Sequence, residues 1–131
     1  MSTDAAGDRT HPVILVVDDD LYVRQTIQLA LEEEGFVVET AADGQRGLER
    51  AMCSRPALVV LDMRLPLVDG TAVADGLRSA FSMPPPIVLI TADDRPAEKA
   101  RYVGAYAYLQ KPFELDDLVA TVRRGLRAGP V

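Results

Sequence analysis

ALVVLDMRLPLVDG, Ala57 to Gly70, runs from an apolar stretch straight into an aspartate, Asp62, and then into a segment punctuated by Pro66 and Gly70. Leu58 to Leu61 read as a strand covered on both faces, where a charge is expensive. Asp62 therefore marks the point where a buried strand reaches solvent. Whether it serves a turn or a site depends on what the rest of the chain delivers to the same place.

Similar apolar runs recur on both sides, alternating with helical patterns. VILVV (Val13 to Val17) is an apolar strand, and Leu21 to Glu34 then carries Val23, Ile27, Ala30 and Leu31 at helical spacing. Gly35 sits where helices commonly stop in a left-handed turn. FVVET (Phe36 to Thr40) is a shorter, more polar strand, expected nearer an edge. Asp43 offers an N-cap for a helix running to about Ser54, which Arg55-Pro56 breaks. After Gly70 a helix carries Val73, Leu77 and Ala80, and MPPP (Met83 to Pro86) separates it from the strand IVLIT (Ile87 to Thr91). A short polar helix is expected over Arg95 to Val103. Gly104 then opens the last strand, AYAYL (Ala105 to Leu109), on which Tyr106 and Tyr108 share a face. Leu115, Leu118, Val119, Val122 and Leu126 mark an amphipathic C-terminal helix. Five strands alternating strictly with five helices predict a single doubly wound α/β domain: a parallel sheet, helices on both faces, right-handed crossovers.

Composition agrees with one ordinary soluble domain. The chain has 131 residues, 48% hydrophobic and 26% charged. No apolar run approaches the roughly 20 residues of a membrane span. Residues 1–11 are polar, lack the apolar core of a signal peptide, and read as a flexible leader, with the cytoplasm as the default location. His11 receives no catalytic role. The domain is expected over 12–128 and a tail over 129–131. Cys53, the one cysteine, excludes an intrachain disulfide and a Cys-rich metal site, and reads as a half-buried helix residue. The net charge of −6 argues against direct nucleic-acid binding and for a divalent cation or a basic partner. Arg123, Arg124 and Arg127 lie where a helix C-terminus favours cations.

In parallel sheets of this kind the functional edge is formed by the carboxyl ends of the strands. The first strand is followed there by Asp18, Asp19 and Asp20; the third ends in Asp62, the fourth in Thr91, and Lys111-Pro112 follows the fifth. Clustered carboxylates repel one another and raise at least one pKa unless a hard cation relieves them, and Mg2+ needs only one or two carboxylates plus water. Lys111 adds a mobile point charge suited to a phosphate oxygen, and Thr91 a hydroxyl donor. These are the parts that phosphoryl transfer needs. Each piece alone is commonplace, since acid runs after strands often only cap helices. The joint placement in the order acid pair, acid, hydroxyl, lysine carries the weight.

The segments VVDDD, VVLDMRLPLVDG, LITADD and YLQKPF, in that order, resemble the receiver domain of two-component response regulators from about Pro12 to Arg127. The resemblance implies a flavodoxin-like fold whose five strands run in the order 2-1-3-4-5. It implies a phosphoacceptor domain that takes a phosphoryl group from a kinase histidine, with no metabolic reaction beyond its own phosphorylation and dephosphorylation. By the same resemblance Asp62 is the acceptor. Asp19 holds Mg2+ (or Mn2+ in its place) directly, Asp18 partly through water, and the Arg64 backbone carbonyl completes the metal shell. Thr91 and Lys111 grip the phosphoryl group, and Tyr108 is the aromatic switch that turns inward as Thr91 moves, reshaping the surface of the fourth helix, fifth strand and fifth helix. The Lys111-Pro112 peptide is expected cis.

Implied partners are a sensor histidine kinase or histidine phosphotransfer protein, a downstream target or effector domain, and a phosphorylation-dependent second copy. The Thr91–Lys111 segment looks shorter than is typical of the family, so a short, displaced or mobile fourth helix is expected. Arg64 and Asp93 are expected to pair and to tune access of water to phosphorylated Asp62. Two other readings compete: a receiver-like module that binds without phosphorylation, and a phosphatase of the haloacid-dehalogenase type using the DxD of Asp18 to Asp20. RAGPV ends the sequence, and a stand-alone regulator and the front of a longer one both fit.

Overall fold

A computed structural model describes residues 12–66 and 68–128. The elements, in chain order, are β1 (Val13–Val17), α1 (Leu21–Glu33), β2 (Val37–Ala41), α2 (Gly44–Ser54), β3 (Leu58–Asp62), α3 (Gly70–Ala80), β4 (Ile87–Thr91), α4 (Pro96–Val103), β5 (Ala107–Gln110) and α5 (Leu115–Ala128). All pairings are parallel, and the sheet order is β2-β1-β3-β4-β5, as the resemblance implies. The leader, His11 and the tail lie outside the described residues.

Strand side chains alternate between faces, and the sequence uses the alternation to build two cores. Leu15, Val17, Val59, Leu61 and Leu89 point to the side covered by α2, α3 and α4, where Ala51, Val73, Leu77 and Val103 meet them. Ile14, Val16, Leu58, Val60, Val88 and Ile90 face α1 and α5 through Ile27, Leu31, Leu118 and Val122. The central strands are thus apolar up to the carboxyl-terminal residues of β3 and β4, Asp62 and Thr91, for a physical reason, since each contributes to both cores. Burying one such side chain stabilises the fold by about 1.5–3 kcal/mol, an upper figure because unfolded chains are already partly collapsed.

Helix starts follow a common device. Asp20, Asp43 and Asp69 cap α1, α2 and α3, accepting from the amides of Val23, Arg46 and Ala72 at 3.2, 2.8 and 3.0 Å. Asp20 is therefore a helix cap, which separates it from its two neighbours. Helix α4 has eight residues against eleven to fourteen in the others, starts on Pro96 without a side-chain cap, and is pinned at its far end by Arg78 Nη1 donating to Val103 O at 2.7 Å.

Three expectations shift locally. Gly104, expected to open the last strand, instead ends α4 with φ +71°, while the Ala105 amide reaches back to Ala100 O. Strand β5 consequently begins at Ala107, and Tyr106 precedes it rather than sharing a strand face with Tyr108. Cys53 lies on α2 as expected but is exposed, not half-buried, because the face that α2 buries is made by Gly44, Gly47 and Ala51.

Candidate functional site

The strand order reverses between β1 and β3, and the carboxyl ends of those two strands deliver Asp18 and Asp62 side by side. Asp18 is fully buried and Asp62 is 4% exposed. Asp19 is exposed beside them, and carboxylate oxygens of the three residues lie within 4.8 Å of one another. Thr91, at the end of β4, is buried, and Lys111 follows β5 with its amide donating to Thr91 O at 2.7 Å. The structure brings all the strand-end residues singled out from sequence to one edge, apart from Asp20, which caps α1.

Lys111 Nζ lies 3.0 Å from Asp18 Oδ2 and 3.5 Å from Asp62 Oδ2, so one cation spans both buried carboxylates. Burial acts to lower the Lys111 pKa, but the hydrogen bond to Asp18 and the charges of Asp62 and Asp18 outweigh it and raise it. Asp62 moves up as well. Burial, then the adjacent Asp18 charge, raises its carboxyl to about 6 against the pull of Lys111 and of the Arg64 amide. One lysine does not balance three carboxylates. An all-oxygen donor set, two of its members buried and with negative charge in excess, fits a hard divalent cation.

The loop after β3 explains the Pro and Gly punctuation. The Met63 amide donates to Ile90 O at 3.1 Å, continuing the β3–β4 ladder one residue past Asp62, and the Gly70 amide donates to Met63 O at 3.0 Å. A side chain on residue 70 would put its Cβ 2.9 Å from Met63 Cα and 3.0 Å from Asp62 O. Close approach of backbone to backbone, with Asp69 capping α3, folds the loop back against Asp62. Within it the Arg64 amide donates to Asp62 Oδ1 at 3.3 Å.

Arg64 also reaches across the mouth of the site, its Nη2 3.4 Å from Asp93 Oδ1, so the expected pair is formed. The Asp93 amide donates to Thr91 Oγ1 at 3.0 Å, and Gln110 Nε2 donates to Asp93 O at 2.8 Å. Tyr108 is 43% exposed on β5, next in register to Leu89. The Lys111-Pro112 peptide is cis. Gln110 and Arg24, whose Nη1 donates to Asp18 O at 2.8 Å, were not foreseen from sequence. Arg24 lies inside α1, away from the strand ends that flagged the others, and Gln110 ends β5 directly before Lys111, the charge that drew the reading there.

Comparison with known proteins gives one consistent answer. A family model described as the response regulator receiver domain matches residues 14–123. The response regulator MprA of Mycolicibacterium vanbaalenii is 42% identical over 116 residues, which cover 87% of this chain and 50% of that protein. The transcriptional regulatory protein PrrA of Mycobacterium tuberculosis is 42% identical over 121 residues, 90% of this chain and 51% of the relative. The chain therefore spans about half the length of the curated relatives it matches. Among solved structures, the chemotaxis response regulator CheY4 of Vibrio cholerae superposes with a TM-score of 0.80 at 32% identity, covering 88% of this chain and 99% of the other. The receiver domain of the Francisella response regulator 1452 gives 0.82 at 29% identity, covering 90% and 98%.

Proposed function

The chain belongs to the response regulator receiver domain family, and from that premise we propose that Asp62 accepts a phosphoryl group from the phosphohistidine of a sensor kinase or a histidine phosphotransfer protein. The observation that carries this reading is Asp62 itself: a nearly buried carboxylate at the sheet's functional edge, flanked by Asp18, Asp19, Thr91 and Lys111.

One Asp62 oxygen attacks phosphorus in line. As the new O–P bond forms, the P–N bond to the donor imidazole breaks, and the imidazole leaves with that electron pair and takes up a proton. Bound Mg2+, or Mn2+ in its place, would neutralise charge on the attacking and transferred oxygens, held by Asp18, Asp19, Asp62 and the Arg64 backbone carbonyl. Lys111 Nζ, already 3.5 Å from Asp62 Oδ2, is placed to follow the new phosphoryl oxygens. Thr91 Oγ1 accepts the Asp93 amide, so its own proton is available to donate to the phosphoryl group. Movement of Thr91 would draw Tyr108 inward from its exposed position, a shift of population that reshapes the surface of α4, β5 and α5. The Arg64–Asp93 pair would limit access of water to the acyl phosphate and so set its lifetime.

The reading extends to a cytoplasmic location, to an output partner or effector domain, and to a phosphorylation-dependent second copy. Among the described residues no helix is long and apolar enough to cross a membrane. Asp18 is a poorer candidate than Asp62 for the nucleophile of a dehalogenase-type phosphatase, since Asp18 is fully buried and Asp62 keeps some exposure. Incubation with acetyl phosphate or phosphoramidate, with and without Mg2+, tests the proposal by intact mass. A Mg2+-dependent gain of one phosphoryl group, lost in Asp62→Asn, is expected. No adduct with any donor would favour a module that binds without phosphorylation.

A further inference from the structure

Arg24 occupies a position that helix energetics do not explain. It lies in the first turns of α1, where the helix dipole disfavours a cation. Its half-buried guanidinium reaches back out of the helix, and Nη1 donates to the main-chain carbonyl of Asp18 at 2.8 Å. The other polar atoms of Asp18 are engaged too. Its amide donates to Ala41 O at 3.2 Å, Oδ1 accepts from the Asp20 amide at 2.8 Å, and Oδ2 accepts from Lys111 at 3.0 Å. Among the described residues Arg24 supplies the one hydrogen bond to the Asp18 carbonyl, and that carbonyl belongs to the peptide joining Asp18 to Asp19. A peptide unit is planar, so fixing its C=O fixes the direction in which the chain enters Asp19. Asp19 is the exposed member of the carboxylate cluster and takes its aim from that peptide.

We propose that Arg24 is a positioning residue for divalent-cation binding, holding the Asp18–Asp19 peptide so that the Asp19 carboxylate converges with Asp18 and Asp62. The proposal rests on the reading of this cluster as a metal site. It has a useful property: charge and position predict opposite signs. Removing a positive charge at the main chain of one member of the cluster, by Coulomb's law alone, tightens cation binding. Removing the group that aims a ligand weakens it, and outer partners of metal ligands typically matter by roughly 10–100-fold in affinity.

The experiment is a calorimetric titration of the full chain with Mg2+ alone, for wild type, Arg24→Met and Arg24→Lys, with thermal unfolding of each recorded alongside. Positioning predicts that Arg24→Met binds at least about tenfold more weakly. Arg24→Lys, which keeps the charge but not the planar donor fork, falls between the two. Binding by folded Arg24→Met that equals or exceeds wild type overturns the proposal while leaving the metal-site reading intact. If Arg24→Met does not fold, Arg24→Lys decides, and affinity equal to wild type overturns the proposal. A wild-type protein that binds no Mg2+ overturns both.

Discussion

Asp62 carries a charge where burial favours the neutral acid, and the consequence is measurable without any phosphoryl donor. Its carboxyl is raised from 3.8 to about 6, so between those values the folded chain keeps a proton that the unfolded chain has released. Stability therefore falls as pH rises through that window, and above it the ionised carboxylate costs on the order of 3 kcal/mol in metal-free protein. Asp62→Asn should be more stable than wild type by roughly that amount at pH 8 without Mg2+, with the gap closing towards pH 4. Denaturant unfolding at the two pH values checks this, and equal stabilities at pH 8 would contradict it. At the mouth of the site, Arg64→Ala should shorten the lifetime of phosphorylated Asp62 severalfold, followed by intact mass, whereas an unchanged lifetime would sink the tuning role. Residues at or just after strand ends, such as Asp62, Thr91 and Lys111, were legible from sequence. Asp20 was not separable from its two neighbours, because three consecutive aspartates give no sign of which one caps the helix. Arg24 and Gln110 act through long side chains whose targets only the folded chain defines.

The loop between β3 and α3 is the element on which the site depends most closely. Gly70 is there for proximity and not for an unusual backbone angle, since an added Cβ would stand about 3 Å from the backbone of Met63 and Asp62. Gly70→Ala should destabilise the fold by about 1–3 kcal/mol, the usual result of overpacking. It should also slow phosphorylation more than a matched loss of stability elsewhere. Thermal unfolding together with the phosphorylation rate would check this, and a variant with wild-type values for both would show that the loop adapts freely. Element types were readable because five short apolar runs alternate with helical spacings. Boundaries were less so. Gly104 satisfied two readings, a strand opening and a helix C-terminus, and the αL turn after Val103 took it. Helix α4 was expected to be short, displaced or mobile, and its eight residues bear out the first of these.

At the scale of the whole molecule, the alternation of strand side chains produces two cores on opposite faces of one sheet, and β1, β3 and β4 belong to both. That rigid centre is what allows buried acids to be held at the sheet's edge, because strands packed on both faces cannot shift to relieve repulsion between Asp18 and Asp62. Order 2-1-3-4-5 and parallel pairing followed from the resemblance and from the β-then-α rhythm, while the contact network around Asp18 required the third dimension. We propose that this sheet edge serves the phosphorylation of one residue, Asp62. The most direct measurement is to treat the protein with acetyl phosphate and Mg2+, reduce the acyl phosphate with borohydride, and locate the resulting homoserine by peptide mass spectrometry. The account predicts homoserine at position 62 alone; homoserine at position 18 or 19, with Asp62 intact, would contradict it.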